Sequence, residues 1–192
     1  TKGASAVARS HSRGKILKPQ SMRSIAAEDS VRRLPTGIAD LDAVLGGGIL
    51  PAGVMLLAGQ PGIGKSTLLM QVAAHVAEQS SVLYVSGEES ASQVKLRATR
   101  LGATSGDDLQ FVASTSADDI AATIRSGRYK LVIIDSIQTL SLEEIASAPG
   151  TVSQITNSSN VIIRAAKASG AAVILVGHVT KEGSIAGPKV LE

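Results

Sequence analysis

The amino-acid sequence predicts an α/β fold in which helices flank a mostly parallel central sheet. Apolar runs typical of strands alternate with segments of helical periodicity, which is the pattern of successive β–α–β units. The runs at 54–58, 82–86 and 131–134 are apolar throughout, as expected for parallel strands covered on both faces. A glycine-rich segment directly follows the first run, and the chain is organised around it.

This segment reads GQPGIGKST and fits the pattern G-x-x-x-x-G-K-[ST]. An apolar run precedes it, and a helix with one apolar face is predicted to follow. A phosphate-binding loop requires this context, because backbone N–H groups turn inward around phosphate oxygens and the helix N-terminus adds positive potential. The residues predicted to surround the nucleotide phosphates are Gly59, Gln60, Pro61, Gly62, Ile63, Gly64, Lys65, Ser66 and Thr67.

Two side chains of the loop have specific predicted roles. Lys65 is expected to reach the β- and γ-phosphates, and the Ser66 hydroxyl is expected to ligate Mg²⁺. A glycine-rich turn that binds nothing is the alternative, and the flanking strand and helix argue against it. The predicted cofactors are therefore ATP or ADP with Mg²⁺.

The composition excludes several classes of protein. The absence of cysteine rules out disulfides, cysteine-ligated zinc and thiol catalysis. With one Phe, two Tyr and no Trp, the chain lacks the aromatic platforms on which single-stranded bases stack. The longest apolar stretch, 171–176, is too short to span a bilayer, and the N-terminus has no apolar signal core. We therefore expect a cytoplasmic protein without membrane contact.

Charge divides the chain into a basic arm and a larger remainder. Residues 1–33 carry eight Lys or Arg against two acidic residues, a net charge of +6, whereas the remainder has 11 basic and 14 acidic residues. The first 24 residues lack periodicity, and we predict a flexible arm or linker over 1–33. Contact with nucleic-acid phosphates and a plain solvated linker both fit this composition. Residues 34–192 are predicted to form the folded core.

Further elements follow from local signals. Thr36 is the predicted cap of a short helix whose residues Leu41, Val44 and Leu45 pack inward. Ser90 with Gln93, and Ser116 with Asp119, predict capped helices that end near Leu101 and Gly127. A weaker strand is predicted at 109–113, a loop at 141–153, a helix at 155–169 and a last strand at 172–177.

Polar residues follow four of the predicted strands. They are the phosphate loop, Glu88 and Glu89, Asp135 and Ser136, and His178. Ligands of open parallel sheets bind outside the carboxyl ends of the strands, so these residues should meet at one edge.

The requirements of phosphoryl transfer suggest a role for each of these residues. Asp135 suits an acid that acts on Mg²⁺ from its second coordination shell, and a Glu suits the base that orients water. Glu88 is favoured because it comes earlier after its strand, and Glu89 remains the alternative. His178 either senses the γ-phosphate or is a structural histidine. Arg125 and Arg128, near a helix end, are interpreted as structural cations that meet the helix dipole.

Several motifs resemble those of the bacterial RadA/Sms proteins, which are RecA-family ATPases of DNA recombination and repair. They are TGIADLDAVLGGG, GQPGIGKSTLL, LYVSGEES, VKLRATRLG, IIDSIQT, APGTVSQ and VGHVTKEGSIAGPKVLE, between residues 34 and 192. The last is more specific than the phosphate loop, and it separates this family from KaiC-like clock ATPases and DnaB-like helicases.

The resemblance implies a RecA-like core in an ATP-driven, ring-forming hexameric motor that promotes branch migration of recombination intermediates. Lys65 and Ser66 then match Walker A, Asp135 matches Walker B, and Glu88 matches the catalytic glutamate. The segments 143–156 and 179–189 resemble the two DNA-facing loops, in which Lys181 and Lys189 would contact phosphates. Single-stranded DNA, recombination intermediates and a RecA-type recombinase are the implied partners.

The sequence departs from the family pattern in three ways. It lacks the four-cysteine zinc module, the downstream KNRFG motif and the carboxyl-terminal Lon-protease-like domain. Together with a start at Thr1 rather than Met, this predicts either a processed or excised, carboxyl-terminally incomplete core fragment or a reduced homologue. A nucleotide-binding module with little turnover is therefore an alternative to a working motor. A KaiC-like phosphotransferase is a further alternative, although no duplicated core is present.

Overall fold

The computed structural model describes residues 17–24, 32–103 and 108–179 of the chain. Within these ranges, strands and α-helices alternate as the sequence predicts. In chain order they are α1 (Ala39–Val44), β1 (Val54–Gly59), α2 (Lys65–Ala77), β2 (Val82–Ser86), α3 (Ala91–Arg100), β3 (Leu109–Ala113), α4 (Ala117–Ser126), β4 (Leu131–Asp135), α5 (Val152–Ser169) and β5 (Ala172–His178). Short 3₁₀ helices cover Met22–Ser24 and Ile137–Thr139. The predicted α/β class is confirmed.

The five strands form one parallel sheet in the order β1-β5-β4-β2-β3. The register places Gly59 beside His178 and Ser86 beside Asp135. All strands point the same way, so the residues that follow β1, β2, β4 and β5 lie along one edge. We call this the carboxyl edge, and we call the edge at the opposite ends of the strands the amino edge.

Helices cover both faces of the sheet. Leu83, Val85 and Ile134 belong to the apolar cluster with α4 and α5, whereas Tyr84 and Ile133 belong to the cluster with α2 and α3. Successive residues of a strand point to opposite faces, so a strand covered on both faces needs apolar side chains at every position. This explains the uninterrupted apolar runs.

Two details of α1 differ from the prediction. Ile38, not Thr36, occupies the N-cap position, and no side chain caps the helix. The Thr36 hydroxyl instead accepts from the N–H of Ile38, the residue directly before the helix, at 3.2 Å. Val44 is 84% exposed and does not pack inward, whereas Leu41 and Leu45 do contact the core. The six-residue helix therefore buries a narrower face than its apolar content suggests.

Helix caps account for most of the other boundaries. Ser90 and Gln93 form the predicted reciprocal capping box, whereas Ser116 only accepts from the Asp119 N–H. Thr151 caps α5 through the Gln154 N–H, so this helix begins at Val152 rather than 155 and the preceding loop is shorter than predicted.

The chain divides into two compact units, residues 1–30 and 31–192. In the second, the Arg33 guanidinium donates to the carbonyls of Leu45 and Gly48, at 2.9 and 3.1 Å. Arg33 therefore belongs with the folded unit, and the boundary precedes the one predicted from charge. Residues 1–16 lie outside the described residues.

Across the described ranges no helix is both long and apolar enough to cross a membrane.

Candidate nucleotide site

The phosphate loop connects β1 to α2 and depends on glycine at two positions. Gly62 and Gly64 have φ values of +77° and +101°, a region that side-chain-bearing residues rarely adopt. A Cβ at either position would meet no atom within 4 Å, so the backbone conformation, not space, requires glycine. These turns lead into the N-terminus of α2, whose unpaired N–H groups favour an anion.

Lys65 is held inside the loop. It is only 8% exposed, and its Nζ donates to the carbonyls of Gly59 and Gln60, both at 2.8 Å. An ammonium group has three hydrogens, so one donor remains for a phosphate oxygen. Gly59 and Gln60 therefore serve the loop through their carbonyls, whereas Ile63 is largely exposed.

Asp135 ends β4 and is 7% exposed. Its Oδ2 accepts a hydrogen bond from the Tyr84 hydroxyl at 2.8 Å. Burial, and secondly the neighbouring Asp135 carboxylate, raise the pKa of the Tyr84 phenol well above its ordinary value. Tyr84 therefore stays protonated and donates to Asp135 over the whole physiological pH range.

The two glutamates after β2 have different partners. Their backbone N–H groups both donate to the Ser86 hydroxyl. The Glu88 carboxylate accepts from the Ser136 hydroxyl at 2.8 Å, whereas the Glu89 carboxylate forms an ion pair with Arg97 of α3. Glu88 is therefore directed toward β4, and Glu89 is held by a helix on one face of the sheet.

His178 lies between the phosphate loop and Glu88. It pairs with Gly59 in the sheet, and its Nε2 is 3.5 Å from Glu88 Oε1. Its Nδ1 is buried and has no hydrogen-bond partner in the described part of the chain. His178 therefore lies where it could contact a nucleotide, and whether it has a functional or a structural role stays a prediction.

Most of the residues predicted to meet at the carboxyl edge line one cavity of about 350 Å³, whereas Gly59, Gln60 and Ile63 of the phosphate loop do not. Its lining is Pro61, Gly62, Gly64, Lys65, Ser66, Thr67, Ser86, Glu88, Glu89, Asp135 and His178. Ser66 and Asp135 both line it, and hard oxygen donors of the kind that their side chains carry suit Mg²⁺. The described residues contain no group of three or more His, Asp or Glu that could hold a metal.

Two residues of the site have no obvious signal in the sequence. Tyr84 and Arg97 resemble ordinary strand and helix residues, and only the fold brings them to Asp135 and Glu89. Ser136 lies at the carboxyl edge as predicted, but nothing local indicates its bond to Glu88, which is 48 residues away. Lys181 and Lys189, the predicted DNA contacts, lie outside the described residues.

Comparison with known proteins then assigns the family. A family model described as "AAA domain" matches residues 20–184. The chain belongs to this family. Its fold class and complete phosphate loop agree with this assignment, and they place it among nucleotide-binding P-loop ATPases.

The similarity to RadA/Sms proteins that the motifs predict is confirmed. Curated proteins named DNA repair protein RadA are similar to nearly the whole chain: 47% identical from Pseudomonas aeruginosa, 44% from Escherichia coli and 45% from Bacillus subtilis, over 94%, 92% and 95% of the chain. The chain spans about 40% of the length of these relatives.

A solved structure supports the fold. A DnaB-like replicative helicase, described with its primase interactions, superposes with a TM-score of 0.66 over 82% of this chain and 47% of its own. The two are 17% identical, so the likeness shows the fold alone. The predicted RecA-like architecture is confirmed.

Proposed function

We propose that this chain is the ATP-hydrolysing core of a DNA-dependent motor of recombinational repair, which processes recombination intermediates by branch migration. The observation that carries this proposal is the meeting of Lys65, Ser66, Asp135 and Glu88 in one cavity at the carboxyl edge. The similarity to proteins named for DNA repair supports the biological setting.

Each residue of the cavity has a task in this proposal. The phosphate loop and the third donor of Lys65 bind the β- and γ-phosphates of ATP. Ser66 and, from the second shell, Asp135 would hold Mg²⁺, which neutralises charge on the phosphates when bound. Glu88 orients the attacking water and accepts its proton. Glu89 instead stays paired with Arg97, and His178 reports the state of the γ-phosphate to the segment that follows it.

The proposed partners come from the same similarity. Single-stranded DNA and recombination intermediates would contact the segments 143–156 and 179–189, with Lys181 and Lys189 on phosphates. In the full-length protein we propose a hexameric ring in the cytoplasm that works beside a RecA-type recombinase. We also propose that the chain consists of a basic arm followed by an ATPase core.

One observation favours a second candidate, a nucleotide-binding module with little turnover. Glu88 Oε1 already accepts from Ser136, and His178 Nε2 is 3.5 Å from the same oxygen. A base held in this way needs a rearrangement before it can activate water. Binding without hydrolysis is then the resting behaviour of this chain.

ATP turnover at low salt, with and without single-stranded DNA, tests both candidates. The parent chain is compared with Lys65→Ala, Glu88→Gln and, as a matched control, Glu89→Gln. The motor proposal expects DNA-stimulated turnover that is lost in the first two variants and kept in the third. Loss in Glu89→Gln with retention in Glu88→Gln would reverse the assignment of the base. ATP binding without turnover in any version would favour the binding module.

A further inference from the structure

Charges in the α4/α5 half of the fold are separated by sign. Between residues 117 and 170, all five acidic residues lie in the first turn of α4, at the end of β4 or in the segment between β4 and α5: Asp118, Asp119, Asp135, Glu143 and Glu144. All five basic residues lie toward the amino edge, and we call them the basic end: Arg125, Arg128, Lys130, Arg164 and Lys167. The separation follows from the topology, because α4 and α5 both run from the carboxyl edge to the amino edge.

The basic end is exposed to solvent. Each of its five side chains is exposed, and none of them forms an ion pair within the part of the chain that the structure describes. Arg125, Arg128 and Lys130 line one surface cavity of about 420 Å³ together with Ser169. The lining of this cavity thus gathers positive charge and includes no carboxylate, and the Asp108 carboxylate, farther along the amino edge, accepts a hydrogen bond from the Ser81 hydroxyl.

The helix dipole explains only part of this arrangement. Arg125 and Lys167 lie in the last turns of α4 and α5, where a cation is favourable. Arg128 and Lys130 lie beyond the end of α4, and Arg164 lies before the last turn of α5. The dipole effect falls off within one turn, so three of the five cations need another explanation. The structural role expected for Arg128 is therefore incomplete.

The surroundings indicate the kind of partner. Protein interfaces have an apolar centre, and no large exposed apolar residue lines the cavity of the basic end. Leu50 and Val54 are exposed on the amino edge only beside β1, which β5 separates from β4. The one aromatic residue of the patch, Tyr129, is buried, with its hydroxyl bonded to Gln110. A surface of cations without apolar or aromatic anchors suits the phosphate backbone of nucleic acid, which requires neither.

We propose that the basic end is a nucleic-acid contact surface that binds phosphates without sequence preference. In taking DNA as the ligand, this inference rests on the proposed function. The surface lies at the opposite end of β4 from Asp135, and a five-residue strand is about 17 Å long. DNA bound there does not touch the nucleotide, so this contact adds affinity and leaves the chemistry at the carboxyl edge unchanged.

The test measures binding of a fluorescein-labelled 30-base-pair duplex by anisotropy, between about 50 and 200 mM salt. The full chain is compared with Arg125→Gln/Arg128→Gln. The matched control, Lys95→Gln/Arg100→Gln, removes two exposed cations from α3. Each lost phosphate contact lowers the slope of log affinity against log salt by about 0.9. The slope of the first variant should therefore be smaller in magnitude than the parental slope by about 1.8. Over this range of salt concentration, the factor by which its affinity falls should be roughly 12 times smaller than the factor for the parent. The control should keep the parental slope.

Other outcomes would overturn the inference. Equal slopes in all three proteins would place every phosphate contact elsewhere, for example in 179–189, and would leave the proposed DNA-dependent function standing. Equal losses in both variants would mean a general charge effect. A change of oligomeric state with unchanged DNA affinity would make the basic end a contact between copies of the chain. If no version binds DNA, the inference and the DNA part of the proposed function both fail, while ATP turnover remains a separate readout.

Discussion

Replacing Tyr84 with Phe removes one hydroxyl from the centre of the site and little else. The hydroxyl donates to Asp135 Oδ2 at 2.8 Å, and the residue is 1% exposed. The ring packs beside Phe111 with centroids 6.5 Å apart, and Phe preserves that contact. Because the acceptor is a carboxylate, the bond should contribute about 1.5–3 kcal/mol to folding.

Tyr129 offers a matched control. Its hydroxyl donates to the neutral amide oxygen of Gln110 at 2.9 Å, in a less buried position. Tyr129→Phe removes the same atom and should cost about 0.5–1.5 kcal/mol. The two variants therefore differ chiefly in the charge of the acceptor that they leave behind.

Urea unfolding at pH 7, followed by circular dichroism without nucleotide, measures both costs. With a slope of about 1–3 kcal/mol per molar urea, Tyr84→Phe should lower the midpoint by about 1 M, and Tyr129→Phe by less than half as much. A midpoint for Tyr84→Phe equal to the parental one would refute the reasoning, because it would mean that Asp135 does not depend on this donor.

A second readout reports on the site itself. If Tyr84 orients Asp135, Tyr84→Phe should raise the Mg²⁺ concentration that half-saturates binding of a fluorescent ATP analogue, by about 3- to 10-fold. Tyr129→Phe should leave that concentration unchanged. A stability loss without any change in Mg²⁺ dependence would limit Tyr84 to a structural role.

Three further predictions concern pH, a close approach and a loop. Burial raises the pKa of Tyr84, so the folded state prefers the neutral phenol. The free energy of unfolding that this preference adds is kept below about pH 10 and is lost as the pH rises further. Between about pH 9 and 11, the urea midpoint of the parent should therefore fall more than that of Tyr84→Phe. In Gly87→Ala the new Cβ would overlap the Thr139 hydroxyl and lie 2.8 Å from its Cβ, so unfolding should become easier by about 1–3 kcal/mol, with partial recovery when Thr139→Ala is added. Gln154 bonds the backbone of Leu142 and the 145 and 147 carbonyls, so Gln154→Ala should cost roughly 2–4 kcal/mol and make 141–151 the first site of limited proteolysis.

The parts of the fold that follow from local pattern were predictable from the sequence. The strands at 82–86 and 109–113 have the predicted bounds, because apolar β-branched runs between turn signals leave little choice. The short α1 was mispredicted at its cap and at Val44, since a helix of two turns is positioned by tertiary contacts more than by periodicity.

The same distinction, between what local pattern predicts and what tertiary packing decides, applies to the residues of the site. Residues that follow strands, such as Glu88 and Asp135, could be placed because a parallel sheet brings strand ends together. Sequence order left Glu88 and Glu89 nearly equivalent, and only Arg97, on a helix packed against the sheet, separates their surroundings. Side-chain partners across the fold depend on packing geometry, which no local pattern contains. The roles of these residues remain predictions until turnover is measured.

The strand order has a consequence for how this site can vary. Two strands lie between β1, which carries the phosphate loop, and β2, which carries Glu88. Neighbouring strands are about 4.8 Å apart, so the ends of β1 and β2 are separated by about 14 Å across the sheet. The Glu88 side chain crosses part of this distance and comes to 3.5 Å from His178, at the end of β5. Backbone hydrogen bonds determine the spacing of the strand ends, and only the insertion or loss of a whole strand could change it, in steps of one strand spacing. Single substitutions therefore act on the reach of side chains across a frame of constant width.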